Sequence, residues 1–254
     1  MSQTKSQYSL SFNDSIHKVY VDTDWAAIEI RKTTVKEAEF YMWNFKTDHL
    51  KQLSPVDLIS WQTTLVGLKD GVALLSYFPN ESIPGTDWLL AFDGLTGVML
   101  WQNFQCRFKG LTQHGLSIKN IKNLNEGAQE IDLVTGKNIA NSNNLLIFSN
   151  HEGALFPEIA HDKLDALSCQ FPFLIKEKSP MEFIKSDNLT IIGAYSIENS
   201  TTNHWLLLFL GDQLEEQILL ASKIKGYGFD PFFIFENKLI FIEEKSRLII
   251  KKLN

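Results

Sequence analysis

Two short motifs of the form Asp-x-x-Thr-Gly, Asp93-Gly94-Leu95-Thr96-Gly97 and Asp132-Leu133-Val134-Thr135-Gly136, lie 39 residues apart and constrain this chain more than any other feature. Each sits between two runs suited to a β-strand, as in Trp88-Leu89-Leu90-Ala91-Phe92 before the first and Val98-Met99-Leu100-Trp101 after it. An Asp carboxylate accepts hydrogen bonds from turn amides, and a Gly with positive φ closes a tight hairpin, so each motif reads as strand, turn and returning strand. A degraded copy, Asn44-Phe45-Lys46-Thr47-Asp48, starts 49 residues before Asp93. Downstream, Gly211 lies 79 residues beyond Asp132, about two periods, with Phe171 near the midpoint and Lys251 one further period on. Six anchors therefore mark roughly six units of about 40 residues, the length of a four-stranded propeller blade.

A second recurrence supports the count. Thr23-Asp24, Asp70-Gly71, His114-Gly115, Asn143-Asn144, Asp187-Asn188 and Glu236-Asn237 each separate two apolar runs and read as hairpin turns. Helical periodicity is nearly absent, the one candidate helix being 157–168, and an aromatic share of 12%, including 18 Phe, suits strands pressed between layers. The expected fold is all-β: a single propeller domain over 1–254, of about six four-stranded blades, with an insertion at 150–166. The last unit supplies strands at 232–235, 239–242 and 247–253 and then ends, while 8–12 near the start has no partner of its own. Pairing that strand with the last blade closes the ring and removes two exposed edges.

Composition narrows the function. Lys plus Arg number 24 against 30 Asp plus Glu, and this formal charge of −6 repels phosphate backbones and anionic bilayers, so neither nucleic acid nor membrane is an expected partner. The N-terminal residues show no apolar signal core, and no apolar run approaches the roughly eighteen residues of a spanning helix, so cytoplasmic residence is expected. Two cysteines, Cys106 and Cys169, are too few for a disulfide framework and read as small buried hydrophobes.

At the two Asp-x-x-Thr-Gly copies, and above all from Ala91-Phe92-Asp93 to Leu100-Trp101, the sequence resembles the repeat of quinoprotein-type β-propellers. The whole chain also resembles an uncharacterised bacterial family of short cytoplasmic propeller-like proteins, through Ala26-Ala27-Ile28-Glu29-Ile30-Arg31 and Leu239-Ile240-Phe241-Ile242-Glu243-Glu244-Lys245. The resemblance implies the fold and, for the second family, no known activity. Quinone-dependent dehydrogenases carry adjacent cysteines, whereas Cys106 and Cys169 are far apart, so the resemblance implies no cofactor.

Motif chemistry is sparse. His151-Glu152-Gly153-Ala154-Leu155 begins like a zinc-protease helix, but its fifth residue is Leu where a second His is required, so no metal is expected. No nucleophile elbow or phosphate loop is present. In a propeller whose strands are lettered a to d from the centre, the b-to-c and d-to-a connections emerge on one face. The longest expected excursions, 79–87, 150–166 and 197–203, all fall between b and c. Long loops on a rigid scaffold are where binding resides, which makes Glu81, Asp87, His151, Glu152, His161, Asp162 and Glu198 the candidate lining residues. The expected function is a non-enzymatic scaffold that binds a protein or peptide on that face. The alternative is a sugar-acting hydrolase with two carboxylates at the channel mouth.

Overall fold

The continuous apolar runs are strands covered on both faces. The computed structural model describes residues 7–53, 61–78, 88–104, 106–120, 127–141, 154–160, 181–198, 201–224 and 232–253. Within them the regular structure is β-strand, arranged as five antiparallel sheets. The chain forms two compact units, residues 14–152 and residues 1–13 with 153–254.

Residues 14–152 hold three four-stranded sheets, each built from strands consecutive in sequence. The first contains β2 (Ser15–Asp22), β3 (Trp25–Lys32), β4 (Glu37–Asn44) and β5 (His49–Gln52), numbered after β1 (Gln7–Ser11), which belongs to the other unit. The second holds β6 (Thr63–Lys69), β7 (Val72–Tyr77), β8 (Trp88–Asp93) and β9 (Met99–Phe104). The third holds β10 (Cys106–Leu111), β11 (Gly115–Asn120), β12 (Gln129–Asp132) and β13 (Asn138–Asn141). Side chains alternate between faces along a strand. Ala73, Leu75, Leu90 and Phe92 therefore enter one apolar cluster with Tyr20, Phe40 and Met42 of the first sheet, while Val72, Leu74, Leu89 and Ala91 enter another with Leu116, Ile118 and Ile131 of the third. A middle sheet with two buried faces is why β7 and β8 read as unbroken apolar runs.

The repeated motif forms as its chemistry requires. Asp93 Oδ1 accepts from the Thr96 amide at 2.6 Å and hydroxyl at 2.7 Å, and Asp132 Oδ1 accepts from both groups of Thr135 at 2.7 Å. Those hydrogen bonds hold both carboxyls below the usual carboxylate range. Gly97 and Gly136 take φ of 72° and 66°. In the degraded copy Asn44 Oδ1 accepts from the Thr47 amide and hydroxyl at 3.0 Å, and Asp48 takes the positive φ of 59°. Gly136 also receives the Trp101 indole, whose Nε1 donates to the Leu133 carbonyl at 2.9 Å. A Cβ there would lie 2.7 Å from Trp101 Cγ. The exchange Gly136→Ala adds this clash to a disfavoured backbone, so a loss of about 2–4 kcal/mol is expected, measurable as a lowered midpoint in denaturant.

The other unit contains two five-stranded sheets, again consistent with apolar runs buried on both sides. One orders β15 (Glu158–Ala160), β16 (Met181–Ser186), β17 (Leu189–Glu198), β18 (Thr201–Leu210) and β19 (Gln213–Ile224). The other orders β1, β22 (Arg247–Lys252), β21 (Lys238–Glu243), β20 (Phe232–Phe235) and β14 (Ala154–Leu155). Ile191, Leu206 and Leu208 pack against Phe232, Ile234, Leu239 and Phe241 between them.

The strand expected to join the end of the chain does so, with Tyr8 opposite Ile250 and Leu10 opposite Leu248. The ladders link no sheet to another, and none closes on itself among the described residues. The described residues form five sheets; the fourth of the six expected anchors, Phe171, and the Asn143-Asn144 turn lie outside them. The expected helix over 157–168 is corrected at its start, since Glu158–Ala160 pairs with Met181–Phe183 as strand. The expected long loop 197–203 is corrected too. The ladder of β17 with β18 runs out to Glu198 opposite Thr201, because this alternating segment pairs along its whole length.

Candidate functional site

A carboxylate in the middle of a strand buried on both faces must find donors. Glu29 is such a residue: Ala26 to Ile30 of β3 are all buried, and Glu29 is 0% exposed. Its Oε2 accepts from the Leu65 amide at 2.8 Å and the Thr64 hydroxyl at 3.0 Å, both on β6 of the second sheet. Its Oε1 accepts from Arg31 Nε at 2.6 Å, because residues two apart on a strand share a face. The Arg31 guanidinium continues across the gap, donating from Nη2 to the Thr63 carbonyl at 2.7 Å and from Nη1 to the Trp61 carbonyl. Lys18 Nζ on β2 donates to the Thr64 hydroxyl at 3.1 Å and the Leu65 carbonyl at 3.0 Å.

Above this clamp lies a cavity of about 470 Å³ lined by Ser15, Ile16, His17, Arg31, Thr33 and Trp61. Arg31 lies over the Trp61 indole, with its guanidinium carbon 4.8 Å from the ring centre. That distance suits a cation–π contact. Trp61 remains 39% exposed. The ladder of β2 with β3 skips a residue between Ile16 and Lys18, so His17 is the extra residue of a bulge, with its Nε2 3.9 Å from Glu29 Oε1. Bulges re-aim a side chain and break an edge. β6 and β10, the edge strands that open the next two sheets, carry the same irregularity between Leu65 and Gly67 and between Phe108 and Gly110.

The cavity sits at the end of the sheets where β2 begins, β3 ends and the chain enters β6. Thr63, Tyr77, Trp88 and Phe104 stand side by side at that end of the second sheet. The Tyr77, Trp88 and Phe104 rings meet edge to face at 5.3 and 4.4 Å, and Phe78 and Phe104 are exposed. The connection carrying Glu81 and Asp87 leaves and rejoins the sheet at Tyr77 and Trp88, on this same side; the two residues lie outside the described ones. So do His151, Glu152, His161 and Asp162. Glu198 is placed by its backbone, at the end of β17 in the other unit. The side chains of all seven sequence-chosen residues thus lie outside the described ones, and the groups assembled among the described residues, Glu29, Arg31 and Trp61, are not among those chosen from the sequence. Glu29 had a signal, a lone acid inside an apolar run. Trp61 had none, since it reaches the site from a connection.

A second buried polar group lies within residues 153–254. Glu182 lies opposite Gly193, and His204 lies opposite Tyr195, two residues further along the same face of β17; across the bare Gly193 the Glu182 Oε2 stands 3.7 Å from His204 Nε2. Tyr195 stacks on the imidazole with ring centres 4.2 Å apart. The carboxylate is too distant for a hydrogen bond to His204, and burial lowers the imidazole to about 4. A Cβ on Gly193 would lie 2.8 Å from Phe232 Cε1 and 3.1 Å from Glu182 Oε2. Gly193→Ala is therefore expected to cost about 1–3 kcal/mol by overpacking, read as a lower midpoint in urea.

Among the described residues no helix is long and apolar enough to cross a membrane, and no group of three or more His, Cys, Asp or Glu is placed to hold a metal ion. Cys106 is buried, as expected, with Sγ 3.7 Å from the Asn103 carbonyl.

Residues 19–101 match the model of a domain of unknown function (DUF4905), a span that takes in most of the first two sheets and includes Glu29, Arg31 and Trp61. No curated protein matches the sequence. Among solved structures, the chain is similar to an exo-β-1,3-galactanase from Phanerochaete chrysosporium at 9% identity and a TM-score of 0.30, over 98% of this chain and 64% of that one. It is also similar to a prolyl endopeptidase at 9% identity and a TM-score of 0.37, over 95% of this chain and 50% of that one. A bifunctional GH43-CE protein of Bacteroides eggerthii aligns at 9% identity and a TM-score of 0.28, over 96% of this chain and 34% of that one. The chain thus spans less than two thirds of each of these proteins.

Proposed function

We propose that this protein is a β-propeller of about six blades, fastened by β1 on the last of them, and that it works as a non-enzymatic scaffold. In this reading it binds a protein or peptide segment at the end of the sheets where the β3–β4, β5–β6 and β7–β8 connections emerge. The observation that carries the reading is the cavity at Arg31 and Trp61, which opens at that end beside an edge strand and is held rigid by the Glu29 clamp. Pockets in this size range suit a ligand group, and pre-organised walls reduce the entropy lost on binding. Glu81 and Asp87 belong to the rim of the same end in this proposal.

The sugar-acting alternative needs two carboxylates facing a cleft across a gap of about 5–10 Å. The carboxylate next to this cavity, Glu29, is buried and committed to Arg31, Thr64 and Leu65, so the geometry favours binding over hydrolysis. A random peptide library displayed on phage and selected against the full chain tests the proposal. Enriched peptides that bind in solution without being altered are the expected result. Turnover of a glycoside that is lost on removing an acidic rim residue, with no peptide enriched, would overturn it.

A further inference from the structure

We infer that the Arg31–Trp61 cavity is the anchor for one uncharged aromatic or branched apolar side chain of an extended peptide running along the edge of β2. The inference rests on the scaffold reading above and goes beyond it by specifying what the partner presents.

Charge is the first argument. Arg31 is the cation at the cavity, yet Glu29 neutralises it, and its donors go to Glu29 and to the carbonyls of Trp61 and Thr63. An anionic side chain that turned to Arg31 would meet the Glu29 carboxylate behind it and would compete with bonds already made. A cationic side chain would meet the guanidinium. Either sign is desolvated without compensation, and burying an unpaired charge is costly. Ile16 and Trp61 provide apolar wall, and the indole, 39% exposed, offers surface for stacking or aliphatic contact.

Strand geometry is the second argument, and it favours a peptide over a free small molecule. Ser15, Ile16 and His17 line the cavity from β2, which is an edge strand of its sheet. An edge strand presents backbone N–H and C=O groups to an added strand, and alternate side chains of that strand then fall into adjoining pockets. The bulge at His17 limits such pairing to a short stretch, so most of the selectivity falls to the side chain in the cavity.

The test uses the full chain, with the Trp61 indole N–H signal assigned in NMR spectra by comparison with Trp61→Phe. N-acetyl-phenylalanine amide, N-acetyl-leucine amide, N-acetyl-aspartate amide and N-acetyl-lysine amide are titrated separately at low and high salt. The phenylalanine and leucine amides are expected to move the Trp61 signal with Kd at least tenfold lower than the charged amides and the same at both salt concentrations. Trp61→Ala should abolish the binding. Thr33→Arg, at an exposed rim position, should weaken it about tenfold and serves if the first variant does not fold. Charged amides binding as tightly as the apolar ones would overturn the inference. Selected peptides that bind equally well to Trp61→Ala would overturn it while leaving the scaffold reading intact. Amide binding with no peptide selected would overturn the scaffold reading and, with it, the peptide proposed here.

Discussion

Replacing Glu29 with alanine is expected to destabilise the protein by about 3–5 kcal/mol, as for other buried pairs broken from one side. The exchange leaves the Arg31 guanidinium facing a cavity in place of a carboxylate, and it strips the Leu65 amide and the Thr64 hydroxyl of their acceptor across the gap between the first two sheets. Arg31 keeps two carbonyl acceptors and its side chain is 12% exposed, so water recovers some of the loss and the lower half of the range is favoured. Glu29→Gln keeps shape and one acceptor oxygen while removing the charge, and should cost less. Urea unfolding followed by tryptophan fluorescence measures both. A loss below about 1 kcal/mol for Glu29→Ala would mean that the clamp is a surface-like pair, worth what exposed pairs usually are.

Acidification between about pH 6.5 and pH 4 is expected to weaken the unit formed by residues 1–13 and 153–254 through His204. Burial lowers the folded imidazole from 6.5 to about 4. The unfolded chain therefore binds a proton at higher pH than the folded one does. The folded state has its full advantage above pH 6.5 and loses it progressively as the pH falls toward 4. A difference of that size corresponds to roughly 3 kcal/mol for a single group. His204→Phe keeps a ring against Tyr195 and should flatten stability across this window. Asp93 and Asp132, lowered by their turn hydrogen bonds, lose their contribution only below 3.8, so their titration is separable from that of His204. Equal slopes of unfolding free energy against pH for the wild type and His204→Phe would contradict the assignment.

The parts of the fold legible in the sequence are those set by local chemistry. Asp93, Thr96 and Gly97 make a turn whose hydrogen bonds need only five residues, and the degraded copy at Asn44 makes the same turn because an amide oxygen accepts as a carboxylate does. Hairpins at Thr23, Asp70, Asp187 and Glu236 take positive φ where the apolar runs break. The partner of β1 was legible for a different reason: an orphan strand at one end of the chain and a three-stranded set at the other leave few ways to cover both edges. The structure differs from the sequence reading where strand pairing overrides the local pattern. Glu158–Ala160 has apolar spacing compatible with a helix turn, but the edge of β16 claims it as strand. The β17–β18 ribbon extends through polar residues that look like loop, since Glu198, Thr201 and Thr202 gain ladder partners from each other's strands.

The site was less legible than the fold, for a physical reason. Arg31 and Trp61 meet only because β3 of one sheet and the entry to β6 of the next end on the same side, and no linear pattern encodes that contact. Choosing acids and histidines from long connections favours residues that are exposed in sequence terms. Among the described residues the cavity instead lies where strands end, and the acid beside it, Glu29, is buried as the counter-charge of Arg31.

The most direct measurement is hydrogen exchange on the full chain, alone and saturated with a library-selected peptide. The account predicts slowed exchange at residues 15–17, 31–33 and 61–63, which surround the cavity, and unchanged exchange at the opposite turns around Thr23, Asp70 and Leu95. Protection confined to those turns, with the cavity amides unaffected, would contradict it.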